Sequence, residues 1–393
     1  MLTAIVADDL TGAADTGMQF ARAGYRTTVV FRDAKMNLGD FDAVAFDTDS
    51  RTAPPGSAAE RTADAMHVAR YAHIVYKKLD STLRGNVAAE LAAALETSGR
   101  EHAVVAPAFP DAGRTTVDGV QRLNGVPVHE TKMAKDPGMP ITDGYLPTLL
   151  SGKFAEIGML ETGDLQNSAT VRRRLERSRC IVADAESNAD LDALVRAAPD
   201  ASQILWAGSA GLAKALAGQH PGPHAGEERA APAIRRGVLV VIGSLSGSSR
   251  EQLRRLVDER DAVAVCVAGC EDVDEAVAAA RTALEDNECA ILHSPERRTP
   301  TRNTPIVSLL AQCAASLSAR ELFGALVMTG GSTAVAVSRR LGASGIMLEG
   351  EVETGVPVGT LICPKPYRVV TKAGGFGNPN TLLRAVELLE SEE

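Results

Sequence analysis

The sequence predicts an α/β protein of two domains, each a mostly parallel sheet flanked by helices, with a small β insertion in the N-terminal domain. Short apolar runs alternate with segments of helical periodicity, a pattern typical of parallel sheets covered by helices. The chain has 393 residues, which favours two domains over one. Between Gly218 and Arg236 the composition shifts to Pro, Gly, His and charge, as expected of a linker. We therefore predict an N-terminal domain at 1–220 and a C-terminal domain at 236–393.

The first strand ends in a group of polar residues. Residues 4–7 are apolar without alternation, which indicates a strand buried on both faces, and Asp8, Asp9 and Thr11 follow it. Ligands of open α/β sheets bind outside the carboxyl ends of the strands, so these residues fall where a small polar substrate would be held. Either acid taken singly could instead cap the helix that follows.

The same pattern of strand and polar segment recurs through the N-terminal domain. Apolar runs predict strands at 27–31, 43–46, 73–76, 102–106, 180–183 and 203–206. Helices are expected around 58–70 and in the Ala-rich segment that Gly99 closes. Asn124-Gly125, between short β-like pieces, predicts the hairpin of the β insertion. The polar residues that follow these strands are Arg51, Asp80, Ser81, Arg84, Asn86 and Arg114.

These acids and arginines together suggest the chemistry of the bound molecule. Arginine forks suit a carboxylate and aspartates suit hydroxyls, so the set describes a sugar acid. Each arginine could equally form a surface ion pair.

The C-terminal domain repeats a strand, a Gly/Ser loop and a helix three times, with strands expected at 237–242, 323–328 and 367–370. The loops contain Ser244, Ser246, Gly330, Gly331, Ser332, Thr333, Gly374 and Gly375. Backbone N–H groups at helix N-termini, left accessible by glycine, bind anions. Three such loops in register would hold a triphosphate, and Lys372 could add a charge to it or be a solvated lysine.

Neither a P-loop nor a strand-linked dinucleotide fingerprint is present, so a nucleotide site here is of another kind. Taken together, the candidate sites of the two domains indicate transfer of a phosphoryl group from a nucleotide in the second domain to a hydroxyl in the first.

Charge and composition exclude several classes of protein. The formal net charge is -9, and no Lys/Arg cluster is interleaved with aromatic residues, so we expect no nucleic-acid partner. Six irregularly spaced cysteines suit reduced thiols in the cytoplasm. No apolar run is long enough to span a membrane, and the early first strand leaves no room for a signal peptide. We therefore expect a cytoplasmic protein without a membrane partner.

Four long motifs carry a resemblance to a known family. They are ADDLTGAADTG at 7–17, KKLDSTLRGN at 77–86, PAFPDAGRTTVDGVQRLNGVPVHET at 107–131, and the pair TGGST and KAGGFGN near the C-terminus. The chain resembles the four-carbon acid sugar kinase family, long catalogued as a domain of unknown function. The resemblance covers essentially the whole chain, although residues 150–235 look short and carry few motifs. It implies a kinase that uses ATP to phosphorylate the terminal hydroxyl of threonate, erythronate or 3-oxo-tetronate.

The resemblance also implies which residues form the sites. Asp8, Asp9, Asp80, Arg84 and Asn86 fall in the substrate motifs; the nucleotide motifs contain Ser244, Ser246, Gly330, Gly331, Ser332, Thr333 and Gly374. We expect Mg²⁺ to be required and leave its ligands open. Asp9 is the predicted catalytic base, since it lies nearer the Thr-Gly turn, whereas Asp8 is expected to point the other way if the strand geometry persists to this pair. Asp80 is the reserve candidate.

Two alternatives belong to other classes. A sugar-acid dehydrogenase would show a dinucleotide fingerprint followed about 20 residues later by an acid, and none is present. A sugar-acid-binding protein would carry an export signal. Which acid is bound, with which stereochemistry, and the number of subunits of a homo-oligomer stay open.

Overall fold

The chain folds into two compact units. The N-terminal unit comprises Met1–Arg32 and Asn37–Glu227, and the C-terminal unit comprises Asp33–Met36 and Glu228–Glu393. The computed structural model describes residues 1–135, 140–226, 237–260, 262–268, 270, 273–285, 289–296 and 305–391. Of the predicted linker between Gly218 and Arg236, residues 227–235 lie outside the described residues.

The N-terminal unit alternates strands and helices as predicted. Its strands are β1 (Thr3–Ala7), β2 (Thr27–Val30), β3 (Ala43–Asp47), β4 (Ile74–Lys78), β5 (His102–Ala106), β6 (Arg114–Val117), β7 (Val120–Leu123), β8 (Val126–Pro127), β9 (Ile157–Leu160), β10 (Cys180–Ala183) and β11 (Ile204–Gly208). Its helices are α1 (Leu10–Arg22), α2 (Pro55–Ala69), α3 (Val87–Ser98), α4 (Leu146–Ser151), α5 (Ser168–Arg177), α6 (Asn188–Ala197) and α7 (Ala210–Gln219).

Eight of these strands form a parallel sheet in the order β2-β3-β1-β4-β11-β5-β10-β9. The chain leaves β1 through α1 toward β2 and β3, and then crosses through α2 to β4 on the other side of β1. The strand order therefore reverses between β1 and β4, and such a switch point is where open α/β sheets bind ligands. The predicted polar residues after β1 and β4 meet at this point.

Strand β4 is longer than the sequence indicated. We predicted its end at residue 76, but Lys77 and Lys78 continue the strand and are 0% and 4% exposed. Both pair in register with the neighbouring β11, and Lys77 also with β1. An ion pair for Lys77, described below, offsets the cost of placing its charge inside the sheet.

The predicted β insertion is present. Strands β6, β7 and β8 form a small antiparallel sheet. Asn124 and Gly125 join β7 to β8 with φ of 50° and 80°, the left-handed conformation that a tight two-residue hairpin requires. Thr116 pairs with Ala185, which places this sheet beside the carboxyl end of β10.

The C-terminal unit has the same alternation. Its strands are β12 (Val238–Ile242), β13 (Val263–Cys266), β14 (Ala290–His293), β15 (Ala325–Thr329), β16 (Gly345–Glu353), β17 (Val356–Ile362) and β18 (Arg368–Lys372). Its helices are α8 (Gly247–Arg260), α9 (Val273–Glu285), α10 (Ile306–Ala319), α11 (Gly331–Arg340) and α12 (Thr381–Ser391).

The strand order in this unit is β13-β14-β12-β15-β18-β17-β16, parallel from β13 to β18 and antiparallel for the last two pairs. The order reverses between β12 and β15, so this sheet also has a switch point. The mostly parallel α/β fold predicted for both domains is confirmed. The β16–β17 hairpin was missed, because β16 mixes apolar and acidic residues without a clear alternation and β17 contains Pro357 and Gly359, which are uncommon in strands.

Each sheet has an apolar core of its own. The central strands β1 and β12 are almost completely buried, which explains their unbroken apolar sequences. Among the described residues, no helix combines the length and apolarity needed to cross a bilayer.

Candidate active site

Asp8 and Asp9, directly after β1, share one arginine. Arg51 Nε and Nη2 lie 2.7 and 2.8 Å from the two oxygens of Asp8. Its Nη1 and Nη2 lie 2.6 and 2.8 Å from the oxygens of Asp9. The expectation that Asp8 and Asp9 point in opposite directions is therefore wrong. The strand ends at Ala7, so the alternation of side chains between faces does not extend to this pair.

Asp9 is also the N-cap of α1. Its Oδ1 accepts a hydrogen bond of 2.7 Å from the backbone N–H of Gly12, and its backbone is extended at φ −147° and ψ 160°. The capping role considered from the sequence is thus present. It uses one oxygen of a side chain that remains 24% exposed.

The environments of the two acids shift their pKa values in opposite directions. Burial acts to raise the pKa of Asp8, but the charge and hydrogen bonds of Arg51 outweigh it, so the pKa lies below its ordinary value. Burial raises the pKa of Asp9 above its ordinary value, against the charge of Arg51, and the charge of Asp8 adds to the rise. Asp9 is therefore the better proton acceptor of the two near neutral pH.

Asp80, after β4, is fully engaged by its own loop. It accepts hydrogen bonds of 2.9 Å from both Nε and Nη2 of Arg84, and further ones from Thr82. Despite burial, the charges of Arg84 and Arg51 hold the pKa of Asp80 well below its ordinary value. Asp80 is therefore a weak base.

The loop that carries Arg84 depends on a glycine. Gly85 has φ of 97°, and a Cβ atom there would lie 3.0 Å from Asp8 Oδ2. A residue with a side chain would be strained in this conformation and would crowd the carboxylate. Gly85 thus allows the loop after β4 to approach the loop after β1.

Three other predicted substrate residues have different surroundings. The amide of Asn86 donates to the carbonyls of Ala53 and Ser50, at 2.9 and 3.3 Å, so it holds the loop that carries Arg51. The carbonyl of Ser81 accepts from Gln121 at 2.7 Å, and Thr11 lies in the first turn of α1.

A buried polar chain holds Ser50, the residue before Arg51, and was not predicted from the sequence. Lys77 Nζ lies 2.8 Å from Glu90 Oε2, and Glu90 Oε1 accepts from Ser50 Oγ at 2.8 Å. Ser50 Oγ also forms a hydrogen bond of 2.7 Å with Thr48 Oγ1, and the backbone N–H of Ser50 donates to the carbonyl of Asp8. The signal for this chain in the sequence was Glu90, a charged residue inside the Ala-rich helix α3.

Three more charged side chains lie close to this cluster. Lys78 is buried and donates to the carbonyl of Leu79 at 2.9 Å. Arg114 is half-buried and bonds the carbonyl of Ala112. Burial raises the pKa of Asp15, on α1, to about 6, although the charges of Lys78 and Arg114 act to lower it. Neither Lys78 nor Asp15 was predicted as a site residue.

In the C-terminal unit, the loops after β12 and β18 are in direct contact. Ser246 and Ser249 donate from their hydroxyls to the carbonyl of Gly374, the latter at 2.9 Å. A Cβ atom at Gly374 would lie 1.9 Å from Ser244 Oγ. The close approach of these two loops therefore requires glycine at this position.

The loop after β15 joins them. Gly330 has φ of 94°, and a Cβ there would lie 3.5 Å from the backbone N of Ser244. The hydroxyl of Thr333 packs against Gly243, where no Cβ would fit. Helix α11 begins after Gly330 without a side-chain cap, so the N–H groups of its first turn, at Gly331, Ser332 and Thr333, are available to an anion. The three predicted phosphate loops thus come together, with Gly375 on the exposed side of the last one.

Lys372 is the cation of this second cluster. It is 2% exposed, and its Nζ has long hydrogen bonds of 3.4 Å to Ser249 Oγ and to the carbonyl of Gly374. Burial lowers its pKa to about 8, although the charge of Glu353 acts to raise it. The interpretation of Lys372 as a solvated lysine is therefore wrong.

Glu353, which was not predicted as a site residue, holds the last loop. Its carboxylate accepts from the backbone N–H and the side-chain amide of Asn378, at 3.3 and 2.7 Å, and from the hydroxyl of Thr381. These bonds join the end of β16 to the start of α12. Among the described residues, no group of three or more His, Cys, Asp or Glu side chains is arranged to hold a metal ion.

Both units collect their polar side chains at the switch point of a parallel sheet, so the protein is of the two-domain α/β class with a ligand site expected on each sheet. Residues 3–216 match the family model of a sugar-binding N-terminal domain, and residues 239–382 match that of a nucleotide-binding C-terminal domain. The chain belongs to the four-carbon acid sugar kinase family.

Curated relatives align over nearly their full length. A D-threonate kinase of Salmonella typhimurium is 33% identical over 98% of each chain. A 3-oxo-tetronate kinase of Methylobacterium radiotolerans is 31% identical over 98% of each chain. A D-erythronate kinase of Heliobacterium modesticaldum is 29% identical over 98% of this chain and 96% of the relative.

A solved structure from Salmonella typhimurium LT2, described provisionally as a tRNA synthase, has the same fold. Its TM-score is 0.82 at 25% identity, with 98% of this chain and 99% of that chain covered. A shared fold by itself does not carry an activity, so that description does not bear on the chemistry of this site.

Proposed function

We propose that this protein is a cytoplasmic, ATP- and Mg²⁺-dependent kinase that phosphorylates the terminal hydroxyl of threonate, erythronate or 3-oxo-tetronate. The observation that carries the proposal is the arrangement of Asp8 and Asp9 around Arg51 at the switch point of the sugar-binding domain. Membership of a family whose relatives are named as kinases of these acids supports it.

The nucleotide-binding domain would hold the phosphates of ATP with groups that are otherwise poorly used. The first-turn N–H groups of α11 supply donors, and the hydroxyl of Ser244 would exchange its bond of 3.2 Å to Ser246 Oγ for one to a phosphate oxygen, while Ser246 keeps its bond to Gly374. Lys372 adds a buried charge, and phosphate would replace its two long hydrogen bonds with shorter, charge-assisted ones. Mg²⁺ bound to the nucleotide would neutralise part of its charge; we assign it no protein ligand.

Asp9 is the proposed base. The proton of the acceptor hydroxyl passes to the Asp9 carboxylate while the hydroxyl oxygen forms its bond to the transferred phosphorus and the bond from that phosphorus to ADP breaks. Arg51 holds Asp9 in place, and the raised pKa of Asp9 suits it to accept a proton. Asp8 and Asp80 have lowered pKa values and serve to orient Arg51 and Arg84.

ADP release measured against a panel of threonates, erythronates and 3-oxo-tetronate, with and without Mg²⁺, tests the proposal. We expect one of these acids to stimulate ADP release and Mg²⁺ to be required. If none stimulates it, and a nicotinamide cofactor is instead oxidised or reduced, the enzyme is a dehydrogenase and the proposal is wrong.

A further inference from the structure

The loop between β18 and α12, residues 373–380, is fixed at its start by the loop after β12. The carbonyl of Gly374 accepts hydrogen bonds from the hydroxyls of Ser246 and Ser249. The next residues include Gly375 and Gly377, both exposed, and glycine restricts the backbone least of all residues. The conformation of this loop therefore depends on what holds its other end.

Glu353, the last residue of β16, holds that other end. Its Oε2 accepts a hydrogen bond of 2.7 Å from Asn378 Nδ2. Its Oε1 accepts from the backbone N–H of Asn378 at 3.3 Å and from the hydroxyl of Thr381, in the first turn of α12. Arg384 Nη1 lies 3.6 Å from Oε2. One carboxylate thus joins the end of the loop to a strand from an earlier part of the chain.

Only a carboxylate satisfies all of these donors. Both oxygens of Glu353 are acceptors, whereas a glutamine would have one oxygen and an NH₂ group directed at a donor. The amide of Asn378 cannot turn to compensate, because its Oδ1 already accepts from the backbone N–H of Asn380 at 2.9 Å. Replacing Glu353 therefore removes at least one bond to the loop.

The turn between β16 and β17 packs closely against the same loop. A Cβ atom at Gly377 would lie 2.8 Å from Glu353 Oε1, and one at Gly355 would lie 2.6 Å from Phe376 Cδ1. These glycines have φ of 83° and 78°, so both the conformation and the close approach require glycine.

Helix α8 holds the loop from another side. Gln252, which is 0% exposed, donates from Nε2 to the carbonyls of Phe376 and Asn378, at 3.1 and 2.9 Å. The same helix carries Ser249, which bonds Gly374. A shift at Asn378 would therefore disturb the position of Gly374 as well.

The charge of Glu353 also acts on Lys372, the cation of the phosphate site. Burial lowers the pKa of Lys372 to about 8, and the charge of Glu353 acts to raise it; these are the two influences on this pKa in the described part of the chain. The Nζ of Lys372 lies 3.4 Å from the carbonyl of Gly374. Glu353 thus favours the charged form of the lysine beside the loop that it holds.

We propose that Glu353 is a positioning residue of the nucleotide site. Through Asn378 and Thr381 it holds the loop after β18 in the conformation in which Gly374 and Lys372 contact the phosphates of the nucleotide. Glu353 binds no phosphate itself, because its oxygens are occupied by donors of the protein. The inference rests on the proposed function, since it concerns the site that would bind ATP.

Two variants separate the position of the loop from the charge. Glu353→Gln removes the charge and one acceptor, whereas Asn378→Ala removes the side-chain bond and keeps the charge. Calorimetry with ADP at pH 7 should show affinity reduced about 10- to 100-fold in each, the usual loss for hydrogen bonds to a charged group. In steady-state kinetics the KM for ATP should rise, the KM for the sugar acid should be unchanged, and kcat should stay within about threefold.

The pH dependence of ADP binding distinguishes the two variants. Without the charge of Glu353 the pKa of Lys372 falls further, so the loss of affinity with rising pH should begin at a lower pH in Glu353→Gln than in the wild-type protein. In Asn378→Ala it should begin at the wild-type pH. Glu387→Gln, at an exposed position of α12, is the matched control and should change neither the affinity nor the pH dependence.

A merely structural role gives a different result, because partial loss of folded protein lowers kcat and leaves both KM values unchanged. That result, wild-type ADP affinity in folded Glu353→Gln protein, or an unshifted pH dependence would overturn the proposal. If Glu353→Gln shows no thermal transition, Asn378→Ala carries the affinity test. If wild-type protein phosphorylates a sugar acid and the variants keep its ADP affinity, the positioning role is wrong and the kinase assignment stands. If wild-type protein binds no nucleotide, both proposals are wrong.

Discussion

Arg51 Nη1 lies 2.6 Å from Asp9 Oδ2 while its Nε lies 2.7 Å from Asp8 Oδ2. One guanidinium therefore fixes two adjacent carboxylates with different environments. We place the centre of the candidate site at this pair of carboxylates. Asp8 is buried, and Asp9 is the more exposed of the two.

Asp9→Asn should lower kcat by about 10²- to 10⁴-fold, the usual contribution of a positioned general base. The fold should be kept, since Asn is as good an N-cap as Asp, and ATP affinity should be unchanged. Steady-state kinetics and nucleotide calorimetry check both expectations. Asp64→Asn, at an exposed position of α2, is the control and should behave as wild type. A variant that keeps kcat and raises only the KM for the acid would make Asp9 a substrate ligand and move the search for the base to Asp8 or Asp80.

Gly374→Ala should abolish detectable ATP binding while the sugar acid still binds. The added Cβ would lie 1.9 Å from Ser244 Oγ, so the loops after β12 and β18 would be forced apart. Gly350→Ala is the matched control in the same unit, because a Cβ there meets no atom within 4 Å. Calorimetry with ATP decides the question: a folded Gly374→Ala protein with wild-type affinity would show that these loops do not form the phosphate site.

Nucleotide binding should weaken as the pH rises through about 8. The charged form of Lys372 binds phosphate, and burial lowers its pKa to about 8 in the free protein. Above that pH the lysine must take up a proton when the nucleotide binds, so affinity should fall by up to about tenfold per pH unit between 8 and 9. Lys372→Met should bind more weakly at pH 7 and lose this pH dependence. An equal slope in both proteins would remove Lys372 from the phosphate site.

Glu90→Ala should destabilise the N-terminal unit by about 3–5 kcal/mol, because it leaves the ammonium of Lys77 buried without a carboxylate, bonded only to the backbone carbonyls of Val6 and Lys78. Lys77 is 0% exposed and its partner oxygen lies 2.8 Å away. Replacing both residues, as Lys77→Met with Glu90→Leu, should recover most of the stability. Urea unfolding followed by the fluorescence of Trp206, the single tryptophan, reports on this unit because Trp206 is buried in β11.

The exposed pair Lys214–Asp111 provides the comparison. Its nitrogen and oxygen are 2.6 Å apart, but Lys214 is 50% exposed, so Lys214→Ala should cost less than about 1 kcal/mol. Equal losses for Glu90→Ala and Lys214→Ala would show that burial of the Lys77–Glu90 pair contributes little.

The sequence by itself determined the features that depend on neighbouring residues. Alternating apolar runs and helical segments predicted the two parallel sheets, and the polar residues after β1, β4, β12, β15 and β18 marked their carboxyl ends. Gly99, at φ 70°, ends α3 as expected, and Asn124-Gly125 forms the predicted hairpin turn. Asp9 caps α1 through Gly12, three residues away. Such features are local, because backbone conformation and short-range hydrogen bonds decide them.

Only the tertiary structure decided which charged side chains pair with each other. Arg51 joins Asp8 and Asp9 across more than 40 positions, and Glu90 on helix α3 reaches Lys77 on strand β4. No periodicity in the sequence distinguishes Lys77, which is paired, from Lys78, which has unused donors, since both end the same strand. The reason is physical: a buried charge is acceptable only with its partner, and the packing of distant elements alone determines whether that partner belongs to the protein or to a ligand.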